Sequence, residues 1–212
     1  MKLKEILRHY LLPSAWVTIK ENSANKTIFL SFDDGPNPDV TPLLLDLLDK
    51  HNAKVTFFCI GKKMLAYPEL AKEIVARGHL VSNHSFTHDD YYLLPLTVQL
   101  REIVETDNTI ADICGYRGKL FRPPKGRLSW KLLFNLIRMK KTAAMWSLDS
   151  MDYFYKSADD IIKRLKNYPI SHGEIILLHD DSSLCIDALK ELLPYWRQKG
   201  FEFQLMTDNA LS

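Results

Sequence analysis

The sequence predicts a single α/β domain, and two observations carry that prediction. The chain has 212 residues, which suits one domain with a substantial core. Between Thr27 and Met206, short runs of β-branched and aromatic residues alternate with longer segments of helical periodicity. This alternation is typical of parallel strands joined by right-handed crossovers. A closed barrel and an open doubly wound sheet both satisfy the pattern, and periodicity does not separate them.

Seven strands are predicted from runs rich in Val, Ile, Phe, Thr and Leu. The first two runs are TIFLSF and KVTFFCI. The later runs are HLVSN, KLFR, TAAMWSL, EIILL and FEFQLM. In chain order the predicted strands are 27–32, 54–60, 79–83, 119–122, 142–148, 174–178 and 201–206.

Six helices are predicted between these strands, near 39–51, 67–77, 97–114, 129–140, 157–168 and 185–199. Ser129 stands directly before the run WKLLFNLI, and Ser157 is followed three residues later by Asp160, so both serines are expected to cap helices. Gly78 and Gly200 fall where two of the helices should end.

The composition is that of an ordinary globular protein, with 46% hydrophobic and 25% charged residues. The net charge is +2 and the chain has no dense Lys/Arg block, so nothing favours nucleic acid as a partner. Three cysteines are an odd number for a disulfide framework, which favours reduced thiols and a cytosolic protein.

Residues 1–26 are expected to form an N-terminal amphipathic extension, with the main domain at 27–212. Lys2, Lys4 and Arg8 imitate the start of a signal peptide, but Pro13 interrupts the apolar run that follows and no small-residue cleavage site is evident. No stretch is long and apolar enough for a transmembrane segment. A cytoplasmic location is therefore expected, with weak membrane-surface attachment as the alternative. The oligomeric state is left open.

Polar residues follow five of the seven predicted strands, at the carboxyl ends where the active sites of parallel α/β proteins lie. They are Asp33 and Asp34; His84 and His88; Arg122; Asp149 and Asp152; and His179. This shared position, more than any single motif, predicts an active site.

A divalent metal is predicted at Asp34, His84 and His88. The two histidines are four residues apart, a spacing that places both imidazoles on one side of a helical turn. Asp34 would complete a set of two His and one carboxylate, with open positions for water and substrate. Zinc is the expected metal, with cobalt, nickel or manganese as alternatives. The competing interpretation is an Asp-Asp-Gly-Pro turn with solvated acids.

The remaining polar residues suit hydrolysis. A metal would lower the pKa of a bound water to about 7, and the non-ligating Asp33 is the candidate base. His179 suits the general acid, because its unperturbed pKa of ~6.5 is close to neutrality. Asp149 is expected to orient His179, and Arg122 to hold the Asp33 carboxylate. Taken singly, each of these three residues could equally form a structural ion pair.

These motifs resemble those of the polysaccharide deacetylases, carbohydrate esterases with the chitooligosaccharide-deacetylase homology domain. The resemblance runs from about Thr27 to about Met206. The TFDDGP signature is similar to SFDDGP here, and H-[ST]-x-x-H is met in full by HSFTH. R-P-P-Y-G appears as RPPKG, D-x-x-D-W as DSMDY, and L-x-H as LLH.

The resemblance implies a distorted (β/α) barrel of about seven strands that uses zinc or another divalent cation to remove acetyl groups from N-acetylated sugars. It assigns the base to Asp33 and a metal ligand to Asp34. Lys125 replaces the usual Tyr and Tyr153 the usual Trp, so these two residues and Pro124 are expected to shape the substrate groove.

Two other functions compete with the sugar deacetylase. The same machinery could cleave small non-sugar amides such as cyclic ureides, if Lys125 and Tyr153 narrow the groove. Alternatively, the chain could be a catalytically silent glycan-binding module, although every residue expected to be essential is present.

Overall fold

Nine parallel strands form one sheet in the computed structural model, which describes residues 13, 14, 16–18, 20, 21 and 25–206. The strands follow the order β1-β6-β5-β4-β3-β2-β8-β7, and β9 pairs with the start of β2. Their bounds are β1 Val17–Thr18, β2 Thr27–Asp33, β3 Thr56–Cys59, β4 Leu80–Asn83, β5 Leu120–Phe121, β6 Thr142–Ala144, β7 Leu148–Asp149, β8 Glu174–His179 and β9 Glu202–Phe203.

The sheet curls into a half-barrel. Strands β6 and β7 lie at or near opposite ends of the strand order, yet only residues 145–147 separate them in the chain. Four consecutive residue steps span at most about 14 Å, so the two sides of the sheet must approach one another. This geometry confirms the predicted distorted (β/α) barrel and excludes the open doubly wound sheet.

Seven α-helices surround the sheet within the described residues. They are α1 Thr41–Lys50, α2 Gly61–Ala66, α3 Pro68–Ala76, α4 Leu96–Cys114, α5 Trp130–Arg138, α6 Ala158–Asn167 and α7 Leu184–Gln198. Short 3₁₀ turns occur at Tyr91–Leu93 and Pro124–Gly126. All six predicted helices are present, and the expected caps are seen: Ser129 accepts from the Leu132 N–H and Ser157 from the Asp159 N–H.

One predicted strand, 142–148, is wrong as a single element, because it is divided into β6 and β7. Arg122 accounts for the division: its Nε donates to the Ala144 carbonyl at 3.1 Å and its Nη2 to the Met145 carbonyl at 3.0 Å. The Ser147 N–H then bonds the Ile175 carbonyl at 3.0 Å, which starts the pairing with β8. A buried arginine thus occupies the point where the chain changes neighbours.

Two elements were not predicted, helix α2 and strand β1. Helix α2 has only six residues, too few to show helical periodicity. Strand β1 lies inside the segment predicted as an N-terminal extension, and it pairs with β6 through Val17–Ala143 and Thr18–Ala144. Residues 1–12 lie outside the described residues, so their amphipathic character stays a prediction.

The core lies between the sheet and the helices. All seven residues of β2 are buried, as expected of a central strand covered on both faces. Phe32 on β2 stacks on Phe57 of β3, with ring centroids 5.4 Å apart. The cysteines are free thiols. No helix in the described part of the chain is long and apolar enough to cross a membrane.

Candidate active site

The carboxyl ends of the strands border a cleft of about 320 Å³. Because the carboxyl ends of parallel strands lie together at one end of the sheet, residues distant in sequence meet there. The cleft is lined by Asp33, Asp34, His84, His88, Lys125, Trp146, Asp149, Tyr153, Leu177 and His179.

The predicted metal ligands lie together on one side of this cleft. The Nε2 atoms of His84 and His88 lie 3.5 Å and 3.4 Å from the Asp34 Oδ1 atom. Ligand atoms from these three residues all fall within 4.8 Å of one another, a grouping that could hold one metal ion. Asp34 follows β2, whereas both histidines belong to the loop after β4.

The loop from His84 to His88 is not the helical turn that the spacing predicted. Ser85 and His88 have φ values of 68° and 67°, in the left-handed region, and no helix is formed. The Ser85 N–H bonds Asn83 Oδ1 at 2.9 Å, and the His88 N–H bonds Ser85 Oγ at 3.1 Å. The imidazoles therefore converge through a loop held by specific hydrogen bonds rather than through helical geometry.

The chemistry of the three ligands fits a divalent cation. Asp34 Oδ1 is buried and has no hydrogen-bond partner among the described residues, so it is free to ligate. Burial acts to raise the pKa of Asp34, but the adjacent His84 and His88 bring it below its usual value. Burial and the neighbouring His84 lower the pKa of His88, which favours the neutral, metal-binding imidazole.

The tautomer of His84 is also suited to a metal. Its Nδ1 lies 2.8 Å from the Arg122 carbonyl oxygen, which can only accept a hydrogen bond. Nδ1 therefore carries a proton, which leaves Nε2, on the side of Asp34 and the cleft, as the atom available to a metal.

Arg122 makes the predicted contact with Asp33. The arginine is fully buried, and its Nη1 lies 2.7 Å from Asp33 Oδ1 and 2.8 Å from Ser31 Oγ. Its guanidinium also lies over the Phe58 ring, 4.0 Å from the centroid. The second oxygen, Asp33 Oδ2, lies 3.5 Å from His84 Nε2 and so faces the metal ligands.

The hydrogen-bond partner of His179 is Asp152 and not Asp149, which corrects the orienting role predicted for Asp149. Asp152 accepts from the His179 ring through Nδ1 and from the His179 N–H, both at 2.7 Å. Burial alone would lower the pKa of His179, but the hydrogen bond and charge of Asp152 raise it to about 9. Asp152 belongs to the DSMDY motif, so the sequence offered both carboxylates and no signal to choose between them.

Asp149 instead organises the loop after β7. Its Oδ1 accepts from the Met151 N–H at 2.8 Å, and its Oδ2 accepts from the Tyr153 hydroxyl at 3.3 Å. Burial raises the pKa of Asp149, which keeps a carboxyl of elevated basicity in the wall of the cleft.

Aromatic and cationic side chains form the rest of the cleft wall. Tyr153 is exposed, and its ring is roughly perpendicular to that of His179, with centroids 5.5 Å apart. Lys125 adopts a left-handed φ of 55° and lies near Asp90, with a nitrogen–oxygen distance of 3.6 Å. Pro124 is buried beside Lys125 and is not part of the lining. Trp146 also lines the cleft.

Comparison with known proteins agrees with this geometry. A family model described as polysaccharide deacetylase matches residues 20–143. Over 186 residues the chain is 35% identical to the peptidoglycan-N-acetylmuramic acid deacetylase PdaC of Bacillus subtilis (strain 168), covering 88% of this chain and 38% of that protein. The chain therefore spans well under half the length of this relative.

A second relative is matched over most of both chains. The chitooligosaccharide deacetylase of Bradyrhizobium sp. (strain ANU 289) is 32% identical, with 85% of this chain and 89% of that protein covered. Among solved structures, the Bc1960 peptidoglycan N-acetylglucosamine deacetylase superposes with a TM-score of 0.85 and 28% identity, covering 95% of this chain and 93% of that one. The chain belongs to the polysaccharide deacetylase family.

Proposed function

We propose that the chain is a metal-dependent hydrolase that removes acetyl groups from N-acetylated sugars. The observation that carries the proposal is the arrangement of one cleft: the Asp34, His84 and His88 ligand set beside Asp33, with His179 also in its lining. In this reaction, water and an acetamide give acetate and a free amine. A base must accept a proton from the water, and an acid must protonate the departing nitrogen.

Zinc is the metal that we propose for the site. Two imidazoles and one carboxylate suit Zn²⁺, and cobalt, nickel or manganese would accept the same ligands. A cation bound there would polarise the acetyl carbonyl and acidify a coordinated water. The orphaned Asp34 Oδ1 and the fixed tautomer of His84 support this choice of ligands.

Asp33 is the proposed base. Arg122 donates to its Oδ1, and its Oδ2 lies on the side of the metal ligands. Oδ2 is therefore the atom that would accept the proton. Arg122 is fully buried and also bonds Ser31 and two backbone carbonyls, so its fork restrains the Asp33 carboxylate.

His179 is the proposed acid. Its Nδ1 is bound to Asp152, so Nε2 is the atom left to carry a proton to the leaving amine. A pKa near 9 means that His179 is protonated at neutral pH, as an acid must be. The Tyr153 ring packs against the imidazole in an edge-to-face arrangement.

The substrate class that we propose is an N-acetylated oligosaccharide or glycan precursor. Tyr153 and Trp146 offer aromatic surfaces on which a sugar ring could stack. Peptidoglycan and chitooligosaccharides, which the names of the relatives specify, are the substrates to test first.

The decisive experiment is acetate release from such a panel by metal-stripped protein, before and after addition of zinc. Zinc-dependent acetate supports the proposal, and the preferred panel member identifies the substrate class. Turnover of cyclic ureides without acetate release would select the small-amide alternative. A tight glycan complex without turnover in zinc-loaded protein would select the binding module. The expected cytoplasmic location stays a prediction that cell fractionation can test.

A further inference from the structure

Glu102 makes an unusual set of contacts with the loop that carries both histidines. It lies on α4 and is buried, with 6% of its surface exposed. Its Oε2 accepts from the Phe86 N–H at 3.3 Å and the Thr87 N–H at 3.2 Å, and its Oε1 accepts from the Thr87 hydroxyl at 2.7 Å. All three donors belong to the two residues that stand between Ser85 and His88.

The loop needs such external contacts, because its backbone is not intrinsically favourable. Ser85 and His88 both occupy the left-handed region, which is unfavourable for a residue other than glycine. From its other side the loop is bound by α2, whose Gly61 and Lys62 N–H groups donate to the Ser85 and Phe86 carbonyls at 3.0 and 2.9 Å. Phe86 is thus held at its N–H by one helix and at its carbonyl by another.

Among the described residues, no Lys, Arg or His nitrogen forms an ion pair with the Glu102 carboxylate, and its hydrogen-bond donors are Phe86 and Thr87. Burying a carboxylate without a counter-ion is costly unless hydrogen bonds replace the lost water. In this protein, the three hydrogen-bond donors that replace water all come from the loop between His84 and His88. The contact between Glu102 and the loop is therefore reciprocal: the loop satisfies the carboxylate, and the carboxylate fixes the loop.

We propose that Glu102 is a positioning residue that fixes the His84–His88 loop and so sets the affinity of the site for a divalent cation. This inference rests on the proposed function in that it takes His84 and His88 as metal ligands. Loss of Glu102 releases the backbone of Phe86 and Thr87, and His88, the next residue, loses its fixed approach to Asp34. Changes to outer partners of metal ligands typically cost 10- to 100-fold in metal affinity, and we expect a loss of that size.

The test measures the zinc dissociation constant by competition with a chromophoric chelator, together with the melting temperature of the metal-free protein. Glu102→Ala should weaken zinc binding about 10- to 100-fold. Glu105→Ala is the matched control, since Glu105 lies on the same helix and is exposed. Its zinc affinity should equal that of the wild type.

Milder substitutions at Glu102 and Thr87 distinguish a positioning role from a general effect on folding. Glu102→Gln can keep two backbone N–H contacts through its oxygen while its NH₂ donates to the Thr87 hydroxyl, so it should retain most of the affinity. Thr87→Val removes only the hydroxyl contact and should weaken zinc binding, whereas Thr87→Ser should restore it. Should Glu102→Ala fail to fold, the Thr87 pair decides the question.

Weaker zinc binding in Glu102→Ala and Thr87→Val, with rescue by Glu102→Gln and Thr87→Ser, would support the inference. Folded variants that bind zinc as tightly as the wild type would overturn it, even if their melting temperatures fell. A wild-type chain that binds no zinc would overturn the proposed function first, and this inference with it. The two failures are therefore distinguishable.

Discussion

Replacement of Asp152 by Asn should move the pKa of His179 across the neutral range. In the folded protein Asp152 is the main influence that raises this pKa, to about 9, against the effect of burial. Asparagine keeps the shape and can accept at one atom, but it removes the negative charge. Without that charge, burial dominates, and the pKa should fall to about 6.5 or below.

The consequence for catalysis can be worked out at pH 8. A group with a pKa of about 9 is roughly 90% protonated at that pH, whereas a group with a pKa of about 6.5 is roughly 3% protonated. If His179 is the acid, Asp152→Asn should therefore lose roughly 30-fold in kcat/KM at pH 8, and much less at pH 6. The basic limb of the pH profile should move down by about 2 units or more.

The sign of the stability effect follows from the same shift. The pKa of His179 is about 9 when folded and about 6.5 when unfolded, so its contribution is fully present below pH 6.5. It is lost as the pH rises towards 9. A difference of about 2.5 units corresponds to about 3 kcal/mol, which Asp152→Asn should remove at pH 6 but not at pH 10.

The direct assay is an NMR titration of the His179 ring in metal-free protein, with Asp149→Asn as the comparison. Asp149 is close to His179 but does not bond it, so its replacement should change the pKa less than Asp152→Asn does. An unchanged His179 pKa in Asp152→Asn would refute the reasoning. So would an unshifted basic limb of the activity profile, which would remove His179 from the acid role.

Three further predictions concern other parts of the site and the core. Asp33→Asn should retain zinc but lose at least about 100-fold in kcat, whereas His84→Ala should lose the metal; metal analysis and kinetics separate the two. Arg122→Met should destabilise the fold by about 3–5 kcal/mol in urea unfolding, because the buried Asp33 carboxylate loses its partner. Burial lowers the pKa of His79 to about 4, so the free energy of unfolding should fall by up to about 3 kcal/mol as the pH drops from 6.5 to 4. His79→Gln should remove this pH dependence, whereas His172→Gln, a control at an exposed position, should keep it.

Much of the fold could be predicted because its long elements have one clear period each. The predicted strand at 27–32 and helix at 97–114 agree with β2 and α4 to within one residue at each end. The errors occurred where tertiary contacts decide the structure. Residues 142–148 have the composition of one strand, but the bonds from Arg122 to two of their carbonyls divide it. A contact between residues more than twenty positions apart leaves no local pattern to detect.

The site shows the same division between what sequence specifies and what it does not. Asp34, His84 and His88 could be grouped because parallel strands deliver their ends to one edge. The partner of His179 could not be chosen, because Asp149 and Asp152 lie three residues apart in one loop. Their roles depend on the backbone between them, where Met151 takes a left-handed φ of 58°. That turn places Asp152 against His179 and Asp149 against the Tyr153 hydroxyl.

Left-handed backbone conformations are concentrated in the loops around the cleft. Eight non-glycine residues in the described part of the chain have positive φ. Two of them, Asn52 and Lys140, follow helix ends, where such turns are common. The other six are in the loops around the cleft: Asp34, Ser85, His88, Asp90, Lys125 and Met151.

These strained loops depend on supporting contacts from neighbouring elements. Each strained residue costs of order 1 kcal/mol and persists only where other contacts outweigh that cost. Glu102 and the N-terminus of α2 supply those contacts for the histidine loop, and Lys63 supplies one for Asp34 by donating to its carbonyl at 2.7 Å. The loops therefore hold the ligands in a geometry that they would not adopt alone. Metal affinity should depend on these supporting contacts as well as on the three ligands.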